Sequence, residues 1–402
     1  MAAARRRILF FPAAALPCCP GSPAGQDLPD IMNAPPAKDY HAALSSVYVG
    51  VDRFLHRAFT HIEVRGPAID VAEARRTPLM IVCTHRSQTD YFVLGHFLHR
   101  LGVENLRFAA GENLTSLPVI GRRFVEFGAF AVRRASTLGR DYVRALCEQV
   151  VGMLSGGDSV IVFPEGGRSY GGEMMEIRGG LVGAAVIAQR RDLSREIRYL
   201  PVSICYERLP ELSAFRTLLK GRNLRRQGLL RKAVGSLFYY GADASAFARF
   251  ILSARVGRSY GAVYIDYAAP IPIGSLVDWT TDVVENARDD LSANRLAIQK
   301  ISLRVFELFN SLYRVLPQHV VARVVRESPG VSVPEAERLA AAEVARLSGI
   351  GRNTRTVAAL SGTQLVTEGL RQMERLGAVR RNGSRILVRD EQVVRYCAAT
   401  TD

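Results

Sequence analysis

The chain has 402 residues and a mass of 44.2 kDa, enough for two or three packed units. Its 48% hydrophobic and 23% charged residues, with 34 Gly and 18 Pro, exclude a collagenous, a disulfide-scaffold or a wholly disordered protein. Fifty-three Lys and Arg against 38 Asp and Glu leave a formal charge of +15, which calls for an anionic partner: nucleic acid, anionic lipid headgroups or a phosphorylated substrate.

In chain order, residues 1–38 are rich in Ala, Pro and Gly. They read as a disordered leader or a mis-assigned start, with Met32 an alternative start. A signal peptide is the competing reading, but Pro12 and Pro17 interrupt the short apolar run Ile8 to Leu16. Apolar residues then recur at helical spacing from His41 to Phe59. Strand-like runs follow at Ile62–Val64, Leu79–Val82, Val160–Phe163, Tyr199–Ile204 and Ala262–Tyr267, alternating with helical patterns at about 90–101, 139–155 and 180–190. That alternation predicts an α/β protein, a mixed sheet flanked by helices, over 39–280. The remainder, 281–402, is expected to be mainly helical. It holds one helix over 283–326, another over 334–347, and a helix from Thr363 to Leu376 followed by a hairpin around Gly383, a possible winged-helix-like end. No apolar run reaches about 18 residues, so membrane contact is expected only at the surface. Cys83, Cys147 and Cys205 suit reduced thiols of a cytosolic compartment, and the adjacent Cys18 and Cys19 have no ligand at metal spacing.

Four stretches carry chemistry. The first is Thr84-His85-Arg86-Ser87-Gln88-Thr89-Asp90, directly after an apolar strand. Five residues place His85 and Asp90 about 140° apart on a helix, so they meet only if His85 lies in the strand-to-helix turn and Asp90 in the first helical turn. Asp90 would then hold one imidazole nitrogen and leave the other free to take a proton from a hydroxyl. A capping box from Ser87 to Asp90 explains Asp90 without catalysis, and both readings can hold together. Arg86 beside His85 is a candidate for holding an anionic group. The second stretch, Gly128 to Arg134, is a small strand ending in Arg133-Arg134, whose planar donors suit a phosphate or are simply solvated. The third runs from Val160 through Phe163-Pro164-Glu165-Gly166-Gly167-Arg168-Ser169, an apolar strand entering a glycine turn. There backbone N–H groups can approach an anion and Arg168 can close over it; an ordinary turn with a surface ion pair is the plainer alternative. The fourth is Leu200 to Arg208, a strand ending in a polar cluster.

The order His-x4-Asp, Gly-x4-Arg-Arg, Phe-Pro-Glu-Gly-Gly-Arg-Ser and Pro-Val-x-Ile-x-Tyr-Glu resembles the four blocks of the glycerophospholipid acyltransferase superfamily, and in detail its glycerol-3-phosphate acyltransferases. Glu-Gly-Gly-Arg-Ser, Ile204-Cys205-Tyr206-Glu207-Arg208 and the basic Phe215–Arg226 favour that branch over lysophosphatidate acyltransferases. The resemblance implies a glycerolipid acyltransferase-like fold. His85 would be the general base, Asp90 its orienter, and Arg134, Glu165, Gly166, Arg168 and Ser169 the grip on glycerol 3-phosphate, with Pro201 to Ile204 lining the acyl chain. It implies acyl-CoA or acyl-carrier protein as donor substrate, no metal and no other cofactor, since a thiolate is already a good leaving group.

Arg216, Lys220, Arg222, Arg225 and Arg226, interleaved with leucines and without an acidic residue, read as a surface for anionic lipid or for the acyl donor's phosphates or acidic carrier; a solvated basic helix is the alternative. A peripheral position on the cytoplasmic face of the plasma membrane follows as an expectation. The rival classes are another acceptor (dihydroxyacetone phosphate or lysophosphatidate), an inactive scaffold, and a nucleic-acid reader using the 365–388 tail. The last lacks a zinc or RNA-binding aromatic motif, so no nucleic-acid partner is expected.

Overall fold

The computed structural model describes residues 40–74, 76–103, 105–111, 128–132, 139–212, 215, 249–254, 260–285 and 290–402. The leader expected over 1–38 lies outside them. The first part of the chain forms α1 (Tyr40–Ala58), β1 (His61–Arg65), α2 (Val71–Ala74), β2 (Leu79–Cys83), α3 (Asp90–Arg100), β3 (Leu106–Gly111), β4 (Ala129–Val132), α4 (Arg140–Gly156), β5 (Ser159–Val162), α5 (Gly179–Arg191), β6 (Arg198–Tyr206), β7 (Ala262–Tyr267) and β8 (Ile271–Pro272). The sheet order is β1-β7-β6-β2-β5-β3-β4, with β8 beside the start of β6. Strands β6, β2, β5, β3 and β4 run parallel, while β7 lies antiparallel to β6 and carries β1 parallel to itself. This is the mixed sheet flanked by helices that the alternation implied.

The central strand shows why. Leu79-Met80-Ile81-Val82-Cys83 is apolar at every position and buried at every position, the signature of a strand covered on both faces. Successive side chains point to opposite faces. Leu79, Ile81 and Cys83 therefore join a core with Leu55 of α1, Phe59 just past its end, and Val93 and Phe97 of α3. Met80 and Val82 join the other core, with Val150 and Leu154 of α4 and Val186 of α5. On that second face a side chain at Gly179 or Gly183 would come within 2.6 or 2.5 Å of Ile298, so the glycines admit the helix that carries Ile298 at close range.

The C-terminal part corrects one expectation. Residues 283–326 are not one helix: α6 (Asp290–Ala293), α7 (Arg295–Leu312) and α8 (Pro317–Glu327) are separate. Proline disfavours a helical conformation in the residue before it, and Leu316 is extended (φ −110°, ψ 159°), with Pro317 opening α8. The chain continues as α9 (Val333–Gly349), α10 (Arg355–Ala358), α11 (Gly362–Arg375), the hairpin β9 (Val379–Asn382) and β10 (Arg385–Val388), and α12 (Glu391–Ala399). The hairpin turns at Gly383 (φ +58°) as expected. Helix α12 was not expected, although Asp390 caps it by accepting N–H bonds from Gln392 and Val393. Val320, Leu347, Leu370 and Val394 of these helices join the core on the α1–α3 side, so the helical region packs onto the sheet within one compact unit, 36–402. Among the described residues no helix is long and apolar enough to cross a membrane.

The extended break between α7 and α8 places Arg314 in the interior, 1% exposed. Its guanidinium donates to both oxygens of Asp266 on β7 (2.9 and 2.6 Å) and to Glu63 on β1 (2.9 Å), and lies 4.6 Å over the Tyr264 ring. Nearby, buried His319 accepts the Leu316 N–H on Nδ1 at 3.2 Å. Burial, reinforced by the charges of Arg86 and Arg352, pushes its pKa down to about 3. The unfolded chain takes up this proton below about pH 6.5 and the folded chain does not, so stability falls with pH across that window, by up to about 1.36 kcal/mol per unit. Between pH 7 and 5, His319→Gln should lose roughly 2 kcal/mol less than the native chain, read from urea midpoints.

Candidate active site

The site begins where β2 ends. Thr84 to Thr89 turn the chain from the strand into α3, and the start of the turn is tied down on both sides of His85. The His85 N–H donates to Glu165 Oε1 at 2.9 Å, and the His85 carbonyl accepts the Ser169 N–H at 3.3 Å. His85 Nδ1 lies 3.0 Å from Asp90 Oδ2. The same oxygen accepts the backbone N–H of Arg86 (2.7 Å) and of Ser87 (2.9 Å), while Oδ1 accepts the Tyr206 hydroxyl at 2.6 Å. Asp90 is fully buried. Half of the capping box thus exists, since Asp90 reaches back to Ser87 N–H, but Ser87 Oγ accepts from Thr89 N–H rather than from Asp90.

A carboxylate on Nδ1 selects the tautomer with its proton there and leaves Nε2 as the basic nitrogen. No described residue hydrogen-bonds Nε2. The ring stacks on Phe163 (centroids 4.2 Å) with Tyr91 against its edge. Burial lowers the His85 pKa, and the charge of Arg168 lowers it further, against the opposing pull of Asp90. The imidazole is therefore neutral at neutral pH and able to accept a proton.

The third block lies alongside. Gly166 adopts φ +71°, open to glycine, and is exposed. A side chain there would meet Cδ and Nε of Arg178 at 2.5 and 2.6 Å, so an exposed guanidinium absent from the expectations lies over this turn. Arg168 is 4% exposed, packed over Tyr170 and Phe215 at 5.4 and 5.6 Å. Three residues expected at the substrate bond to the protein itself. Glu165 accepts from His85 and Met175 N–H, and Ser169 Oγ accepts the Gly172 N–H. Arg86, 1% exposed, donates to the Glu173 carbonyl at 2.8 Å, lies 3.8 Å from Glu165 and stacks over Tyr313. The reason is direction: all three side chains are buried, and the backbone N–H groups of Arg86 and Ser169 are held by Asp90 and by the His85 carbonyl. Val202 and Ile204, expected along the acyl chain, are core residues of β6. Arg134 and the basic residues Arg216, Lys220, Arg222, Arg225 and Arg226 lie outside the described residues.

Two residues on the segment from β6 onward complete the site without having been expected there. Tyr206 reaches Asp90 because β6 neighbours β2. Glu211 accepts from Ser87 Oγ and from Gln88 N–H, at 2.7 and 3.0 Å. Tyr206→Phe should slow turnover about tenfold and cost about 1.5–3 kcal/mol, the value of a hydrogen bond to a buried charge, read from kcat and urea midpoints together.

A family model described as Acyltransferase matches residues 61–204. Residues 61–204 are an acyltransferase domain. It runs from β1 into β6 and holds the His85–Asp90 turn and the Gly166 turn; Tyr206 and Glu211 lie just past its end. Over 274 residues the chain is 26% identical to the glycerol-3-phosphate acyltransferase of Xanthomonas axonopodis pv. citri, covering 67% of this chain and 29% of that protein. It is 27% identical over 271 residues to that of Xylella fastidiosa (strain M12), covering 65% and 29%. The chain therefore spans under a third of the length of these relatives. Among solved structures, the 1-acyl-sn-glycerophosphate acyltransferase of Thermotoga maritima aligns at a TM-score of 0.33 and 17% identity, over 68% of this chain and 84% of that one.

Proposed function

We propose that this acyltransferase moves a fatty acyl group from acyl-CoA or acyl-carrier protein to the sn-1 hydroxyl of glycerol 3-phosphate, giving lysophosphatidate. The observation that carries this is the 3.0 Å contact between His85 and a fully buried Asp90 at the end of a parallel strand, beside a glycine turn flanked by arginines. His85 Nε2 removes the hydroxyl proton, and the oxygen attacks the thioester carbonyl. The tetrahedral oxyanion collapses, the C–S bond breaks, and the thiolate leaves and takes a proton. Asp90 stabilises the imidazolium formed in between. Such a positioned base supplies about 10²–10⁴ in rate. Arg168 and Arg178 hold the phosphate around Gly166, together with Arg134 as the resemblance implies. The names of the curated relatives support the acceptor.

Docking against an anionic membrane surface, on its cytoplasmic face, belongs to the same proposal. Its support is the charge of +15 and the outer face of the β9–β10 hairpin. There Arg380, paired across the ribbon with Leu387, and Arg385 are exposed and have no ion-pair partner among the described residues.

The test offers purified protein palmitoyl-CoA with glycerol 3-phosphate, dihydroxyacetone phosphate or lysophosphatidate. Fastest acylation of glycerol 3-phosphate at sn-1 is expected. Preference for another acceptor, or no transfer to any, overturns the proposal.

A further inference from the structure

Glu211 lies in the turn beyond β6, past the matched domain, with nothing in its local sequence that suggests chemistry. Yet its carboxylate is fully buried against the catalytic turn. Oε2 accepts the Ser87 hydroxyl at 2.7 Å and Oε1 the Gln88 N–H at 3.0 Å, while Ser87 Oγ accepts Thr89 N–H at 2.9 Å. Asp90 takes the N–H groups of Arg86 and Ser87. Between them the two carboxylates bind three successive backbone N–H groups, residues 86, 87 and 88, and so determine the path of the chain from His85 to Asp90. A hydrogen bond to a buried charge is worth more than one to a neutral group, so few other side chains could hold this turn as firmly.

We propose that Glu211 is a positioning residue: it holds the 86–89 turn so that His85 Nε2 meets the acceptor hydroxyl, and its charge offsets that of Arg168, tempering the grip on the substrate phosphate. This rests on the function proposed above. The groups facing the carboxylate are Ser87 and Gln88 of the turn, Asp90 of α3, Arg168 of the third block and Tyr206 of β6. Burial lifts Glu211 to about 7, with Asp90 raising it further and Ser87, Arg168 and Gln88 opposing. The clamp therefore gains full charge as pH rises through neutrality.

Glu211→Gln keeps the shape but has one accepting oxygen for two donors. Its kcat should fall about tenfold, the worth of one lost bond to a charge. Affinity for glycerol 3-phosphate, measured by calorimetry without turnover, should rise about fivefold as Arg168 loses one of the negative charges near it. An inflection near pH 7 in the native kcat profile should vanish. A more disruptive Glu211→Ala should lose about a hundredfold in kcat; if it does not fold, the Gln variant still decides. A fall in kcat with unchanged affinity and pH profile would mean a smaller active fraction, hence a structural role only, and would overturn the proposal, as would native kinetics in the Gln variant. A native protein that binds glycerol 3-phosphate but transfers no acyl group would count against the proposed reaction, while the calorimetric arm still judges Glu211.

Discussion

His85→Ala is expected to lose acyl transfer by about 10²–10⁴ while keeping the far-ultraviolet spectrum of the native chain. The magnitude follows from the geometry. With Nδ1 committed to Asp90 at 3.0 Å, Nε2 is the one basic nitrogen the turn presents, and alanine removes it without removing Asp90's other three bonds. The pH dependence has a definite sign. Burial holds the imidazole below its ordinary pKa, so the basic form persists as pH falls through 6.5. The acid limb of kcat/KM should therefore lie below pH 6.5, with activity lost as pH drops further and the ring gains its proton. Asp90→Asn should be nearly as severe. One amide oxygen cannot accept all four donors that Asp90 serves, and its NH₂ would oppose one of them. More than a tenth of native activity in His85→Ala would refute the base, as would an acid limb of kcat/KM at or above pH 6.5 in the Glu211→Gln variant, where the inflection from Glu211 is absent.

Arg314→Met is expected to destabilise the fold by about 3–5 kcal/mol, the cost of leaving a buried carboxylate without its partner. Arg314 ties the α7–α8 junction to Asp266 on β7 and Glu63 on β1, positions 48 and 251 residues away in the chain. Asp266 is 4% exposed and cannot recover its solvation when the guanidinium goes. The double variant Arg314→Met with Asp266→Asn should regain much of the loss, because the stranded charge is then gone. Urea unfolding of the single and double variants separates these terms. A loss below about 1 kcal/mol in the single variant would show that the pair behaves as a surface bridge.

What the sequence by itself determined is local and periodic. The uniformly apolar run 79–83 predicts a strand covered on both sides, and strand–helix alternation predicts the layers, because burial of one face per element leaves few other arrangements. Glycine at 166 and histidine five residues before aspartate mark the two turns at the strand ends. Even the break before α8 was legible, in Pro317, but the apolar periodicity on either side of it overrode the signal. The tertiary structure decided which side chain meets which. Tyr206 reaches Asp90 116 residues away only because β6 lies beside β2, and Glu211 reaches Ser87 124 residues away for the same reason. Arg86, read as an anion contact from its place beside His85, and Glu165 and Ser169, placed at the substrate by the resemblance, turned inward to brace the turns themselves. Hydrogen-bond partners across such separations depend on strand order and on the angle at which each turn leaves the sheet, and neither leaves a period in the sequence.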